Sequence, residues 1–409
     1  MWRNRNVWIV LIGEFGAGIG LWVGIIGNLD FMQQHVPSDF FKSLILFFGL
    51  LAGVFVGPLA GRLIDQYSKK KILLISGLGR TLSTIIMFIA IHYENIIFMV
   101  LFLVCLQISA AFYFPALQAV IPLIVKENQL LSLNGIHMNI ATIARIAGTS
   151  IGGILVVATS LTNVYGISML AYAFLFIMTF FLHFEEQANI QVSTDVTPKT
   201  SKQKEGFTEI FRLIRNTPVV FNLIILNIIP LLFIGGFNLM VIEISDLQHN
   251  DSIKGLIYTF EGISFMLGAF IIKRLNKKFS NTSLLYFFTT IVAIAHLTLF
   301  FASIHWMPLV SFSLFGLAVG CFFPVSSTLF QTSIDKSYHG RLFSFRSMYE
   351  RVMFQVVLLS TGLFLDTIGL QYMVLIFGAV SLIIISKLYV NEKKYKQAEA
   401  LKDAQNISV

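Results

Sequence analysis

Charged side chains are scarce in this sequence. Only 12% of its 409 residues are Asp, Glu, Lys or Arg, whereas 56% are hydrophobic and the mean hydropathy is +0.79. So little polar surface cannot cover a soluble globule, which excludes a large soluble domain. Cysteine is rarer still: Cys105 and Cys321 both lie in apolar runs, where a thiol packs as a small apolar group, so no disulfide and no metal site is predicted. The chain also lacks a Gly-x4-Gly-Lys-Ser/Thr phosphate loop, which excludes ATP hydrolysis, and no cofactor is expected.

Long apolar runs are abundant instead. A helix needs roughly 20 mostly apolar residues to cross a bilayer, and the chain contains about twelve such runs. They cover residues 7–33, 42–63, 72–92, 97–121, 132–160, 164–184, 218–246, 254–273, 283–302, 307–330, 342–366 and 371–390. The first run is longer than a signal peptide core and has no small-residue cleavage site after it, so we expect it to be retained. The sequence therefore predicts an all-α membrane protein with twelve transmembrane helices.

A polar segment divides the runs into two sets. Residues 191–215 are rich in Ser, Thr and Lys and are predicted to form a cytoplasmic linker. It would join an N-terminal six-helix bundle, residues 1–190, to a C-terminal six-helix bundle with a cytoplasmic tail, residues 216–409. Aromatic-aromatic-Pro sequences recur at 113–115 and 322–324, in corresponding runs of the two sets. This repeat predicts two pseudo-symmetric bundles, an arrangement typical of proteins with a binding site between repeats.

The basic residues indicate how the helices are oriented. If the N-terminus is cytoplasmic, only Lys42 and Lys254 among the 29 Lys and Arg fall on outer loops. Because Lys and Arg are retained on the cytoplasmic side, we expect both termini to be cytoplasmic in a multi-pass protein of the cell membrane. The net charge of +8 then follows from topology and from contact with anionic membrane lipids. No nucleic-acid partner is predicted.

The turn between the second and third runs carries the most informative motif. Gly61 would let two helices approach closely, and Asp65 would cap or pair across a helix end. Three lysines follow and would hold the turn on the cytoplasmic side: Lys69, Lys70 and Lys71. This pattern resembles the signature after the second helix of the major facilitator superfamily, except that Ser68 stands where the family usually has glycine. Arg80, early in the third run, is assigned to the same cytoplasmic gate motif and would pair near Asp65 or extend its charge to water.

Two further segments carry the resemblance. The loop with Gly340 and Arg341 resembles the turn between helices ten and eleven of the superfamily, a second gate loop. Together with residues 114–122 it is most similar to the branch that holds macrolide-efflux proteins and the enterobactin exporter, which are drug:proton antiporters. The resemblance implies two six-helix bundles that alternate access to a central site. The family's arginine in the fourth helix has no counterpart here, since Leu106 and Gln107 occupy that neighbourhood.

Glycines form two patterns within the runs. In the first run, four-residue spacing predicts close helix contact, and the glycines concerned are Gly16, Gly20 and Gly24. In the fifth run a glycine pattern resembles the antiporter motif of the family, and its members are Gly148, Gly152 and Gly153. Thr149 replaces the proline of that motif. The same segment formally fits Gly-x-Ser-x-Gly around Ser150, but that catalytic motif needs a strand-to-helix elbow.

Five ionisable residues lie deep within apolar runs, where a charge costs roughly 2.5–3.5 kcal/mol. They are Glu14, Arg145, Glu261, Glu350 and Arg351. Such residues are functional candidates, and we assign them to a proton-coupling and substrate cavity. Glu14 and Glu261 would exchange protons, while Arg145 would meet an acid, water or substrate. The alternative is that these charges are interhelical pairs that hold the bundle together, Glu350 with Arg351 among them.

Three acidic residues lie near the outer ends of the first and seventh runs. Asp30, Glu243 and Asp246 would form an outer gate or a mouth that attracts cations. The alternative is that they are solvated helix ends.

These observations predict a secondary transporter, not an enzyme. We expect it to export amphipathic, drug-like or macrolide-like small molecules by alternating access, coupled to proton antiport. The alternative is export or flipping of an endogenous anionic metabolite or lipid, such as a siderophore or lysolipid, which would suit Arg145. Remote alternatives are an intramembrane hydrolase acting through Ser150 and a receptor that binds its ligand without transport. The expected partners are a small-molecule substrate, protons and membrane lipids, and the protein is expected to be a monomer.

Overall fold

A computed structural model describes residues 2–184, 212, 214–215, 217–333 and 339–407. Within these ranges some side chains lie outside the description, among them Asp65, Arg341, most of those in 127–135 and all of those in 394–407. All regular structure in the described residues is helical. The α-helices are α1 (Arg5–His35), α2 (Asp39–Gln66), α3 (Lys69–His92), α4 (Ile96–Ile124), α5 (Glu127–Ala158), α6 (Leu161–Phe180), α7 (Pro218–Leu226), α8 (Ile228–Gln248), α9 (Ser252–Leu275), α10 (Asn281–Thr298), α11 (Met307–Thr332) and α12 (His339–Ile407). A short 3-10 helix, Leu299–Phe301, follows α10. The predicted all-α class is confirmed.

Polar side chains mark where several helices begin. The Asn4 side chain accepts a hydrogen bond from a backbone N–H of the first turn of α1 at 2.9 Å. Ser160 does the same for α6 at 3.4 Å. Ser68, the residue that departs from the family's glycine, accepts from the Lys71 N–H at 3.4 Å and begins α3. The hydroxyl at this position therefore supplies a side-chain hydrogen bond to the N-terminus of α3, a bond that glycine, although tolerated as an N-cap, cannot make.

The helices match the twelve predicted spans. Within the described residues, eleven helical segments are long and apolar enough to cross a membrane. One of them, Phe345–Lys393, has 49 residues, about twice the length that one crossing needs. Gly369 divides this segment with a φ of 76°, a left-handed conformation that glycine adopts without a steric penalty. Another segment, Pro218–Gln248, contains both α7 and α8. The segment that Gly369 divides therefore supplies two of the twelve crossings.

The chain packs into two compact units. The first contains Met1–Val192 and Asn238–Gly262, and the second contains Ser193–Phe237 and Ile263–Val409. The predicted linker, 191–215, lies almost wholly outside the described residues. The division into six-helix bundles at that linker therefore remains a prediction.

Small residues bring α1 against α6 in the first unit. A Cβ atom at Gly20 would meet the Cβ atom of Ala171, and one at Gly24 would lie 3.2 Å from the Ser168 hydroxyl oxygen. That hydroxyl donates a hydrogen bond to the Gly20 carbonyl oxygen at 2.9 Å. The close contact predicted from the four-residue glycine spacing is confirmed, because a larger side chain at either glycine would separate the two helices.

Aromatic rings fill the core of the second unit. Phe233 stacks on Phe315 with ring centroids 3.9 Å apart and meets Phe312 edge to face at 5.0 Å. His296 is fully buried, with its ring 4.6 Å from that of Phe233. The outer faces of the helices, by contrast, expose large apolar side chains such as Ile75 at 71% and Ile97 at 74%. Such surfaces suit a lipid environment, as expected for a multi-pass membrane protein.

Candidate functional site

Glu14 lies in a cluster drawn from three helices of the first unit. Its Oε1 atom accepts a hydrogen bond from the Tyr113 hydroxyl of α4 at 2.6 Å. Its Oε2 atom lies 3.5 Å from Nε2 of His137 on α5. Both side chains are largely buried, at 13% exposure for Glu14 and 15% for His137. In the described part of the chain, no lysine or arginine forms an ion pair with Glu14. The carboxylate could therefore be neutralised by binding a proton.

Arg80 of α3 joins this cluster through contacts with two aromatic rings of α4. Its guanidinium carbon lies 4.5 Å from the ring centroid of Tyr113 and 4.8 Å from that of Phe114. Arg80 is buried at 5% exposure, and its Nε atom has no hydrogen-bond partner among the described residues. We had expected this side chain to pair near Asp65 or to extend to water. Extension to water is wrong for so buried a side chain, whereas pairing near Asp65 stays a prediction, because the Asp65 side chain lies outside the described residues. Two aromatic faces stabilise the Arg80 charge, and the Tyr113 ring also carries the hydroxyl that binds Glu14.

Arg145 and Glu261 form a direct ion pair. Nη1 of Arg145 on α5 lies 2.5 Å from Oε2 of Glu261 on α9, and the Glu261 side chain is only 5% exposed. The guanidinium carbon of Arg145 is also 5.8 Å from the ring centroid of Trp22 on α1. The pair matches the structural alternative raised from the sequence for Arg145, because each charge is compensated by the other.

The same two helices meet at two further levels. The hydroxyls of Ser150 and Thr259 are 2.6 Å apart. Farther along, a Cβ atom at Gly153 would lie 2.8 Å from the Cα atom of Gly255, so backbones are in contact there. Ser150 also donates to the carbonyl oxygen of Ile146 at 2.7 Å within the continuous helix α5. It is therefore not on the strand-to-helix elbow that a serine hydrolase requires.

The remaining glycines of the antiporter-like motif pack on α1. A Cβ atom at Gly148 would lie 2.8 Å from the carbonyl oxygen of Ile19, and one at Gly152 would lie 3.1 Å from the Ile26 side chain. Thr149, which replaces the family's proline, donates its hydroxyl to the Arg145 carbonyl oxygen at 2.9 Å. The motif thus positions Arg145 by close packing of α5, without a proline.

The two lysines predicted on the outer loops are both buried. Nζ of Lys254 lies 2.9 Å from Oδ1 of Asp30 and 3.0 Å from Oδ1 of Asp251, and the Lys254 side chain has 0% exposure. Nζ of Lys42, at 4% exposure, lies 2.8 Å from Oδ1 of Asp39. The two lysines that depart from the cytoplasmic distribution are therefore not solvated charges. Each is neutralised by a neighbouring aspartate.

The three acidic residues of the predicted outer mouth occupy different environments. Asp30 is buried and binds both Lys254 and the Gln34 amide, which donates at 2.7 Å. Asp246 is exposed and accepts a hydrogen bond from Gln33. Glu243 lies beside Asp39. For Asp30, the suggestion of a solvated helix end is wrong, because burial requires the lysine that neutralises it.

Glu350 and Arg351, in the second unit, do not form the pair considered from the sequence. Oε1 of Glu350 accepts from Nε of Arg346 at 2.6 Å, while Arg351 is exposed. Adjacent residues point in different directions around a helix, whereas residues four apart lie on one face. The Arg346 guanidinium also lies over the Phe330 ring, 4.6 Å from its centroid.

The cytoplasmic turn is described in part. The Lys70 ammonium donates to the Phe180 carbonyl oxygen at the end of α6, at 2.9 Å, where a cation is favoured by the helix dipole. Among the described residues, a Cβ atom at Gly61 would meet nothing within 4 Å, so these residues show no close helix approach at this glycine. The side chains of Asp65 and Arg341 and the surroundings of Gly340 lie outside the description. Their predicted gate roles stay predictions.

His137 was missed by the sequence reasoning. It is the only histidine of the fifth apolar run, and the argument that selected five charged residues applies to it equally. It was overlooked because histidine is neutral by default and no partner is evident along the chain. Glu14 lies more than a hundred positions away.

The long apolar helices and the charged clusters buried between them define a multi-pass membrane transporter. The sequence model of the Major Facilitator Superfamily matches residues 10–248 and 232–407, so the chain belongs to that superfamily.

Similar proteins agree with this assignment. Macrolide efflux protein A of Streptococcus pyogenes is 24% identical over 365 residues, 86% of this chain and 87% of the relative. Multidrug resistance protein MdtG of Dickeya zeae (strain Ech586) is 23% identical over 365 residues, 86% of this chain and 85% of the relative. A crystal structure of a variant of the nucleoside transporter NupG has a TM-score of 0.75 at 14% identity and covers 94% of this chain and 99% of that one. The last similarity concerns the fold alone.

Proposed function

We propose that this protein exports amphipathic small molecules from the cell by alternating access, in exchange for protons. The names of two relatives, which refer to macrolide efflux and multidrug resistance, support the substrate class. The single observation that carries the proton coupling is the environment of Glu14: a largely buried carboxyl group whose contacts are a phenol and an imidazole. Such a carboxylate can bind a proton when the site is open to one side of the membrane and release the proton when the site is open to the other.

Lipophilic cations and weak bases are the preferred substrates within this class. Arg145 would have suited an anionic metabolite or lipid, but its charge is matched by Glu261 at 2.5 Å. Glu14 has no such compensation from Lys or Arg among the described residues. A cationic substrate and a proton would then compete for the same carboxylate, and this competition is the basis of exchange.

Glu261 has a second role in the proposal. Its bond to Arg145 joins α5 to α9, which also meet at Ser150 with Thr259 and at Gly153 with Gly255. Loss of the Glu261 charge would leave the half-buried Arg145 without its acid, so Glu261 supports the helix contact as well as any proton exchange. We propose further that both termini are cytoplasmic in the cell membrane and that the protein acts as a monomer among lipids.

Transport into proteoliposomes tests the proposal. Vesicles with an acidic lumen are given a panel of lipophilic cations, weak bases and anionic amphiphiles, and accumulation is compared with and without the pH gradient. We expect the gradient to drive uptake of cations and not of anions. Uptake that ignores the gradient would refute proton exchange, and preferential uptake of the anions would favour the anionic metabolite or lipid.

Two carboxyl variants and one control sharpen the test. Glu14→Gln should abolish gradient-driven uptake while exchange of labelled for unlabelled substrate, without a gradient, continues. Glu261→Gln should lower both, because it disturbs the α5–α9 contact. Glu94→Gln, an exposed acid between α3 and α4, is the matched control and should behave as wild type. If both Glu14→Gln and Glu261→Gln leave gradient-driven uptake intact, the coupling assignment is wrong.

A further inference from the structure

Four ionisable or phenolic side chains converge at one depth in the first unit. Glu14 and His137 lie about ten residues after the first residues of α1 and α5, and Arg80 lies about as far into α3. Tyr113 lies a similar distance before the end of α4. At 1.5 Å per residue this is roughly 15 Å from those helix ends, too deep for bulk water to screen the charges fully.

No hydrogen bond joins Glu14 to His137 at their present separation. Nε2 of His137 and Oε2 of Glu14 are 3.5 Å apart, longer than the usual N–H···O separation. Nε2 of His137 is buried and has no hydrogen-bond partner among the described residues. Adding one proton would convert this contact into a charge-assisted hydrogen bond, which is shorter and stronger than a neutral one.

We propose that His137 is the partner with which Glu14 shares the exchanged proton, so that the coupling unit is a Glu14–His137 pair and not a single carboxylate. This inference rests on the proposed proton exchange and adds the second residue. The deprotonated pair carries one negative charge, and uptake of one proton makes it neutral whether the proton resides on the carboxylate or on the imidazole. Release of that proton restores the negative charge that attracts a cationic substrate.

The surroundings of the pair favour this arrangement. From α4, the Tyr113 hydroxyl occupies one oxygen of Glu14 and leaves the other facing His137. From α3, the Arg80 guanidinium lies over the Tyr113 ring, with its carbon 4.5 Å from the ring centroid, and among the described residues no hydrogen bond or ion pair joins Arg80 to Glu14 or His137. From α6, Tyr172 is close enough to interact with Arg80, and no charged residue occurs in Leu161–Phe180. The Glu14–His137 pair is therefore the place in this cluster where binding of one proton would change the net charge.

A structural role for His137 would give different results from a coupling role. His137→Gln keeps a polar side chain of similar size but cannot carry the positive charge. We expect gradient-driven uptake to fall by about tenfold or more, while substrate exchange without a gradient stays within about twofold of wild type. The dependence of uptake on luminal pH should also be weaker than in wild type, because glutamine cannot bind the shared proton.

Controls and a second variant keep the outcome decisive. His305→Gln, an exposed histidine before α11, should leave the pH profile unchanged. His137→Asn tests the same loss with a shorter side chain, in case the first variant is poorly folded. If wild type responds to the pH gradient and both His137 variants keep its pH profile, the pair assignment is wrong although proton exchange stands. Equal loss of driven uptake and of exchange would mark His137 as structural and would also overturn it. A wild type that ignores the gradient would instead remove the proposed function.

Discussion

Removal of the Lys254 charge should destabilise the first unit strongly. Lys254 has 0% exposure and binds Asp30 at 2.9 Å, where the Asp30 side chain is itself only 5% exposed. Lys254→Met keeps the apolar stem but leaves the Asp30 carboxylate buried, with only the Gln34 amide as a described hydrogen-bond donor to it. Removing one partner of a buried pair costs about 3–5 kcal/mol. The Asp251 contact adds less than about 1 kcal/mol, because Asp251 is 53% exposed.

Equilibrium unfolding in mixed micelles, followed by tryptophan fluorescence, measures this loss. Lys277→Met is the matched control, because Lys277 is exposed and its substitution should change the unfolding free energy by less than about 0.5 kcal/mol. The double variant Asp30→Asn with Lys254→Met removes both charges and should recover most of the stability lost in Lys254→Met alone. The reasoning is refuted if Lys254→Met unfolds at the same midpoint as Lys277→Met, or if the two substitutions destabilise additively.

Three further predictions concern helix contacts, each measured as a change in unfolding free energy. Gly148→Val should cost about 3 kcal/mol or more, because its Cβ atom would lie 2.8 Å from the backbone of α1. Gly61→Ala should be neutral or stabilise by up to about 1 kcal/mol, since no described atom lies within 4 Å of the added Cβ. Equal effects of the two substitutions would contradict the packing assigned to α5. Ser68→Ala should cost about 0.5–2 kcal/mol through loss of the N-cap of α3, and Ser68→Gly less, an order that a merely solvent-facing serine would not produce. Arg145→Met should destabilise more than Arg145→Met combined with Glu261→Gln, and a double variant less stable than the single one would show that the two charges are not compensating each other.

Chain-local features were predictable from the sequence. Each transmembrane helix satisfies its own backbone hydrogen bonds, so an apolar run of sufficient length already determines a span. The helix caps at Asn4 and Ser160 act within three residues, and the spacing of Gly20 and Gly24 defines one helix face. At Gly61 a close helix approach was expected, but no described atom lies within 4 Å of the position that a Cβ atom would take there.

Partner choice was not predictable, because it depends on contacts far apart in the sequence. Lys254 looked like an outer-loop cation, and only packing against α1 buries it beside Asp30. Arg80 was expected to extend to water if it did not pair near Asp65, and the fold buries it over the Tyr113 ring.

Composition and the apolar runs thus predicted by themselves a multi-pass membrane protein with twelve spans, and the resemblance of the basic turn predicted the superfamily that the family model matches. A charge in an apolar run also showed, without any structure, that a compensating group must exist. Which group compensates it was decided by the tertiary structure alone: Glu261 for Arg145, and a phenol with an imidazole for Glu14. The physical reason is that desolvation acts on each residue individually, whereas its compensation requires two side chains within a few ångströms, a distance that only helix packing sets.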